Sequence, residues 1–467
     1  MEQLVKTPLW PHQLELSDRF ERIPRVGAGW WMGTGKTLYA IERDLRFRAM
    51  YDSKHSYKTL VVAPSGVHPN WIEALKHETG SERILRMNPK DRNAFYKHGY
   101  DYYVMHWEAL RFLVDRFGKA KTVRPIEVIR DLGFTHVIMD EAHRLKNRKS
   151  QRTVAAKHLE IRLATDLTGS PIPNKPQDIW SLLNHLYPRS FKSFWPFVRR
   201  YIEIDESGPY LQLGAPTDLW YKEREDLLGN FFSIIDDTMV PSLKLPEMIH
   251  TTLECELGAK QRSAYNAMEQ DMLAWVDSHD GEDSPLAVNA VIAQLIRLQQ
   301  FAIGYMSEVE PGKYRMTQPA AKLELIKDYL EDFDEQFVLF SQFSQPLDLL
   351  KQMMPDDVTL YTGSVPNRIR EGNLERFKNG FEKVIAMTYG TGGEGIDGMQ
   401  HTCRNVILLD KAWSPSVNDQ AIARIRRAGQ KYPVNVIDIE AVNTIDRTRN
   451  IDIAYKGKIN RKMLGLS

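Results

Sequence analysis

Gly33-Thr34-Gly35-Lys36-Thr37, answered downstream by Asp140-Glu141-Ala142-His143 at the end of an apolar run, decides how this chain is read. In the first stretch, Gly33, Thr34 and Gly35 let backbone N–H groups approach phosphate oxygens. Lys36 reaches the β- and γ-phosphates of a nucleotide, and the Thr37 hydroxyl can ligate Mg²⁺. In the second, Asp140 leaves the tip of a strand toward the metal, and Glu141 orients or deprotonates an attacking water. The two halves in this order describe a nucleotide triphosphatase site that uses Mg²⁺.

The flanks agree with that assignment. Leu38, Ile41, Leu45 and Met50 fall at helical spacing after the glycine turn, so a helix is expected whose N-terminus faces the phosphates. Val137-Ile138-Met139 before Asp140 reads as a strand covered on both faces. The strict G-x-x-x-x-G-K-[ST] pattern has Gly where this chain has Trp30.

Length and composition bound the remainder. A chain of 467 residues exceeds what one hydrophobic core usually organises, so two or three domains are expected. At 42% hydrophobic and 26% charged residues the sequence has a globular texture throughout. There is no apolar run of about 18 residues and no signal-peptide layout at the N-terminus, so no membrane association and a cytoplasmic location are expected. Two cysteines, Cys255 and Cys403, exclude a disulfide framework and a cysteine-built zinc site. The net charge of +1 says little, but basic residues cluster at Arg144–Arg152, at Arg424–Lys431 and at Lys456–Lys462. Such clusters suit either a phosphate-backbone track or a solvated helix face.

Strand-like runs alternate with helical stretches twice over, which predicts an α/β chain of two parallel-sheet units. The first holds Thr59–Ala63, Tyr102–Met105, Val137–Met139 and Leu163–Leu167. The second holds Phe337–Phe340, Val358–Tyr361, Val384–Met387, Val406–Leu409 and Val434–Ile437. An inserted subdomain is expected over about 186–240 and a helical region over about 255–310, where Leu295, Leu298, Phe301 and Ala302 share a face. Trp195, Trp220, Phe191, Phe194, Phe231 and Phe232 in the insertion are expected mainly as subdomain core, with base stacking or a duplex wedge as the alternative. The second unit has no phosphate loop, yet it ends in Gln420-Ala421-Ile422-Ala423-Arg424-Ile425-Arg426-Arg427. Arginines three apart share one helix face, so Arg424 and Arg427 are expected to project together as arginine fingers.

These motifs together resemble those of superfamily-two helicases and, within them, the Swi/Snf-type branch of DNA translocases. Lys36-Thr37 is similar to motif I. Val62-Ala63-Pro64 with Asn70-Trp71 and Glu73 resembles motif Ia, and Ile138 through Asn147 resembles motif II with the branch's R-x-K-N extension. Leu167-Thr168-Gly169-Ser170-Pro171 with Asn174 is similar to motif III, Leu339 through Phe343 to motif IV, Thr388 through Asp397 to motif V, and the arginine stretch to motif VI after Trp413-Ser414-Pro415. The likeness runs over residues 10 to 450. It departs at Trp30-Trp31 for Asp-Glu, at Glu394, at Arg426 for His, and at Ile235–Thr238 for an arginine pair.

The resemblance implies two RecA-like lobes, residues 1–245 and 246–467, with the insertion and interlobe helices between their sheets. It implies that Gln13 reads adenine, that Gly395 joins the nucleotide contacts, and that Arg424 and Arg427 complete the site from the other lobe. Nucleic-acid backbone contacts are implied for Pro64, Ser65, Ser170, Ser341, Gln342 and Thr388, and coupling roles for His143 and Gln420. The expected activity is ATP-driven movement along DNA by a monomeric motor that remodels forks or branched junctions. An RNA helicase, the motor subunit of a larger DNA-processing complex, and an ATP-controlled binding switch without translocation are the alternatives. No chromatin-reader module is recognisable, which points to a compact prokaryotic or viral motor.

Overall fold

The computed structural model describes residues 3–52, 56–87, 97–113, 132–207, 212–240, 243–278, 285–310, 313–392 and 396–466. The chain divides into two compact units, Met1–Lys244 together with Lys458–Ser467, and Leu245–Gly457.

Among the described residues of the first unit a seven-stranded parallel sheet forms from β1 (Arg25–Trp30), β2 (Thr59–Ala63), β3 (Ile84–Met87), β4 (Tyr102–His106), β5 (His136–Asp140), β6 (Leu163–Thr168) and β9 (Phe232–Ile235), in the order β3-β4-β2-β5-β6-β1-β9. The short antiparallel pair β7 (Ile202–Asp205) and β8 (Gln212–Pro216) belongs to the insertion. Strands β2, β5 and β6 are the apolar runs read from sequence, and being central they are buried along nearly their whole length. β1 is less obvious, because Arg25-Val-Gly-Ala-Gly-Trp30 carries two glycines that weaken a strand. Packing explains the first of them: a Cβ on Gly27 would lie 2.2 Å from the Phe232 ring of β9.

The helix Lys36–Tyr51 after β1 is present, but its buried face differs from the expected apolar stripe. Leu38 and Leu45 are half-buried and Met50 is exposed, whereas Tyr39, Ile41, Arg43, Asp44 and Phe47 are buried. Buried charge is tolerated there because most of it is engaged, although Arg43 Nε and Asp44 Oδ2 have no hydrogen-bond partner. Arg43 donates to the carbonyls of Phe20 and Ile23 at 2.7 and 2.8 Å and lies over the Phe47 ring. Asp44 sits 2.7 Å from His136 Nδ1 and accepts from the Thr59 hydroxyl at 2.6 Å.

In the second unit β10 (Met248–Cys255), β13 (Phe337–Ser341), β14 (Val358–Tyr361), β15 (Val384–Thr388), β16 (Asn405–Leu408) and β17 (Val434–Ala441) form a parallel sheet in the order β10-β17-β16-β13-β15-β14. A separate antiparallel pair, β11 (Tyr305–Glu310) and β12 (Lys313–Thr317), stands beside it. Helices Ala259–Ser278 and Pro285–Ile303 occupy the region expected to be helical, and Leu298, Phe301 and Ala302 are buried as their spacing requires.

Within the insertion, Phe191, Trp220, Phe231 and Phe232 belong to the core of the first unit, while Trp195 stays 43% exposed. The tail departs from expectation. Lys458–Ser467 pack with the first unit, not the second, because polar groups there need them. Met463 O accepts from the Trp220 indole at 2.9 Å, Asn460 donates to Ile172 O, and Arg461 pairs at 2.9 Å with the buried Asp236. Among the described residues no helix is long and apolar enough to cross a membrane.

Candidate functional site

Parallel pairing of β5 with β6 and of β6 with β1 sends the chain after Trp30, the end of β6 and Asp140 out of the same carboxyl edge of one sheet. Such an edge is where open α/β sheets carry ligands. Gly33 and Gly35 both adopt φ of +79°, a left-handed conformation that a side chain would strain, and Gly35 starts the helix Lys36–Tyr51. The result is a glycine turn leading into a helix N-terminus, an arrangement suited to anions.

Neighbours lock the turn. The Thr34 hydroxyl donates to Trp31 O at 2.6 Å, and His12 Nε2 lies 3.0 Å from Thr34 O. Gln13, expected to read adenine, is buried: its amide donates to Gly35 O at 2.9 Å and accepts from Trp10 N at 2.7 Å. A Cβ on Gly35 would meet that amide at 2.3 Å. Lys36 Nζ donates to the carbonyls of Trp30 and Trp31 at 2.8 and 3.0 Å, folded back over its own loop. Thr37 is half-buried.

The acidic half is held by two tryptophans. Trp71 Nε1 donates to Asp140 Oδ2 at 2.8 Å, Trp107 Nε1 donates to Asp140 O at 2.8 Å, and Glu141 N donates to Oδ1 at 3.0 Å. Glu141 takes φ of 54°, a left-handed backbone uncommon for a non-glycine residue and of the kind found at functional turns. His143 Nδ1 lies 3.1 Å from the Thr168 hydroxyl at the end of β6 and 3.2 Å from Glu141 Oε2. Thr168 Oγ1 also accepts from Ser170 N.

Burial, and then the adjacent Glu141 carboxylate, push the Asp140 carboxyl up to about 6, against the opposing pull of Trp71 and Lys36. A pair of carboxylates placed so that ionisation is costly fits a divalent cation, which relieves both desolvation and repulsion. Among the described residues no cluster of three or more His, Cys, Asp or Glu could hold a metal by itself. Thr37 and Asp140 are the residues expected from sequence to hold such a cation beside phosphate oxygens.

A pH consequence follows from that raised carboxyl. Between the ordinary aspartate range and pH 6 the folded chain holds a proton that the unfolded chain has lost, so this group's contribution to stability falls as pH rises through that window. Asp140→Asn is expected to abolish ATP turnover and yet to stabilise the nucleotide-free protein above pH 6, by roughly 1–2 kcal/mol. Below pH 4 the gain should vanish. Denaturation midpoints of both proteins at pH 5 and pH 7.5 check the sign.

The expected nucleic-acid contacts meet different fates. Ser65 is exposed at the turn after β2, next to a buried Pro64. Ser170 is almost wholly buried. Ser341 requires correction: it is fully buried and its hydroxyl donates to Asp410 at 2.5 Å, so no phosphate can reach it. Gln342 is tied to the same carboxylate and to Lys411 O through its side-chain amide. Thr388 shares a 2.8 Å hydrogen bond with the Thr391 hydroxyl. In the first basic cluster Arg144 and Arg152 both face Glu108, at 3.6 and 3.8 Å.

The arginine stretch also needs correction. The helix Pro415–Ile422 stops before it, and Arg424 and Arg427 lie on successive turns instead of sharing a helix face. The fully buried Ile425 draws the chain inward, and Arg427 N bonds to Ile425 O, a spacing too short for a helix. Both side chains nevertheless reach the same carbonyl, Ile396 O, at 3.3 and 3.5 Å, and Arg427 pairs with Asp397 at 3.2 Å. Gln420 is half-buried on the preceding helix. Gly395 lies outside the described residues. Sequence reasoning missed Trp107 and Asp410, each of which serves a motif residue distant in sequence.

Comparison with known proteins agrees with these motifs. Residues 31–302 match the family model of the SNF2-related domain, and residues 321–429 that of the helicase conserved C-terminal domain. Over 463 residues the chain is 23% identical to the ATP-dependent helicase brm of Drosophila melanogaster, covering 93% of this chain and 27% of that protein. Over 461 residues it is 26% identical to the ISWI chromatin-remodeling complex ATPase CHR17 of Arabidopsis thaliana, covering 91% and 39%. Among solved structures it is similar to the Sulfolobus solfataricus SWI2/SNF2 ATPase core in complex with dsDNA, at 22% identity and a TM-score of 0.44, covering 100% of this chain and 99% of that one. The chain spans well under half the length of these two curated relatives.

Proposed function

Because the chain belongs to the SNF2-related family of ATP-hydrolysing, helicase-type motors, we propose that it is a translocase that moves along double-stranded DNA and remodels forked or branched DNA. The observation that carries the reading is the convergence of Lys36, Thr37, Asp140 and Glu141 on one carboxyl edge of a parallel sheet.

Each residue then has a task set by its chemistry. Lys36 turns outward from the Trp30 and Trp31 carbonyls to hold the β- and γ-phosphates of ATP. Thr37 and Asp140 hold Mg²⁺, which when bound neutralises phosphate charge. Glu141 orients the attacking water, with His143 steadying it against Thr168. Arg424 and Arg427 are the cations for charge that develops on the transferred phosphoryl group. DNA is gripped through its phosphates by the exposed Ser65 turn, so sequence dependence is weak and binding falls steeply with salt.

Duplex and forked DNA are expected to raise ATP turnover severalfold while RNA does not. The same protein should displace a third strand from a triplex in an ATP-dependent manner, since displacement requires travel along the duplex. DNA-stimulated turnover without displacement would overturn translocation in favour of a binding switch, and stimulation by RNA alone would overturn the choice of substrate.

A further inference from the structure

Asp140 is reached by an indole from a segment that no hydrolytic step uses. Trp71 lies on the first turn of the helix His68–Thr79, which follows β2 after Pro64 and the short turn Ser65–Val67. In the sheet β2 lies between β4 and β5: Ala63 pairs with His106, and Val62 pairs with Met139 immediately before Asp140. The turn and the acidic tip therefore sit side by side, and the buried Trp71 side chain spans them, its Nε1 2.8 Å from Asp140 Oδ2.

The segment leading to Trp71 is stiff. His68 is buried and its Nε2 lies 3.1 Å from Ala63 O, which pins the helix start to the end of β2. Val67 N donates to Pro64 O at 3.1 Å and closes the turn. Ser65, by contrast, is exposed at the outer side of that turn. A pull on Ser65 is thus passed to Trp71 with little slack. Glu141 N holds Oδ1 from the neighbouring backbone, and Trp71 is the side-chain partner of the other carboxylate oxygen.

We infer that Trp71 is a positioning residue that couples a DNA phosphate held at the Ser65 turn to the orientation of the Asp140 carboxylate toward its cation. The inference rests on the reading of the chain as a DNA-stimulated ATP motor and assigns the stimulation to one hydrogen bond. Outer partners of metal ligands commonly set metal affinity by about 10–100-fold, so the effect is large enough to measure.

The test compares wild type with Trp71→Phe, which keeps an aromatic ring and removes the N–H. Binding of a fluorescent ADP without DNA is titrated with Mg²⁺ and repeated in EDTA, duplex affinity is measured by anisotropy, and ATP turnover is measured with and without duplex. In the variant the Mg²⁺ concentration for half-maximal nucleotide binding should rise about tenfold. Binding in EDTA and duplex affinity should match wild type, and the ratio of stimulated to basal turnover should collapse toward one. A variant with the wild-type Mg²⁺ dependence, or with the wild-type stimulation ratio, overturns the inference. Equal weakening of nucleotide binding in Mg²⁺ and in EDTA overturns it too, because that is the mark of a distorted core. If wild-type turnover ignores duplex DNA, the motor reading itself fails, a result separate from any behaviour of the variant.

Discussion

Lys36→Ala is expected to lower ATP turnover by at least about a hundredfold while leaving duplex binding intact. The lysine is the one cation placed on the phosphate loop, and it donates to Trp30 O at 2.8 Å and Trp31 O at 3.0 Å. Deleting a single preorganised donor to developing phosphoryl or oxyanion charge commonly costs about two to three orders of magnitude in rate. The fold should survive, because the loop is held independently by Thr34 on Trp31 O and by Gln13 on Gly35 O. Two carbonyls lose a donor, a cost of about 1–2 kcal/mol where water cannot replace it. DNA contacts are assigned to the Ser65 turn, on another stretch of the edge, so duplex affinity should not move. Steady-state turnover beside anisotropy on a labelled duplex decides the matter. Retained DNA-stimulated turnover in this variant would remove the phosphate loop from the site.

Much of this arrangement was legible because central parallel strands leave a strong signal. β2, β5, β13 and β15 are short apolar runs, buried on both faces, with turn residues or motif residues at their carboxyl ends. The edge strand β14 and the near-edge strands β4 and β17 were legible too, but β1, β3, β9 and β10 were not. β10 shows mostly exposed or half-buried positions, and β1 carries glycines that are explained by side chains far along the chain, Phe232 at Gly27 and Pro171 with Phe232 at Gly29. The same limit applies to the site. Residue type and spacing identify Lys36, Asp140 and Glu141, because their chemistry is local. Ser341 looked like a phosphate contact until Asp410, contributed from beyond β16, was seen to claim its hydroxyl. Arg424 and Arg427 do converge, but through turns shaped by the burial of Ile425 and not through the helical spacing that suggested it. For Ser341 and for Gly27 the deciding partner is distant in sequence, and for the arginines it is the burial of their neighbour Ile425, which spacing alone does not encode.

Asp446→Ala is expected to be the most damaging single change to the second unit. The carboxylate sits between two cations, Lys322 Nζ at 2.5 Å and Arg449 Nη2 at 2.8 Å, and all three side chains are essentially inaccessible to water. It also accepts from Ala441 N at 3.0 Å, so it ties the start of the last helix to the end of β17. Lys322 is further bound to the carbonyls of Leu409 and Ile439, which satisfies its protons without neutralising its charge. Removing the carboxylate leaves two buried cations facing each other, and breaking a buried pair in this way costs about 3–5 kcal/mol. Burial alone would raise the Asp446 carboxyl, but the Lys322 and Arg449 charges outweigh it and hold it below the usual aspartate range. With a lowered folded-state value, its contribution to stability is complete above the ordinary aspartate range and is lost only as pH falls through the lowered value. The defect in the variant should therefore be full at neutral pH and should shrink in acid. Amide exchange of β16 and β17 localises the effect to this unit where a whole-chain melting curve would blur it. Replacing Lys322, Asp446 and Arg449 together by Met, Leu and Leu should restore part of the loss, because no charge is then left buried although Ala441 N and the Leu409 and Ile439 carbonyls lose these partners. Wild-type protection of β17 in the single variant, or failure of the triple replacement to recover it, would show that packing around the helix start, and not charge, holds this part of the fold.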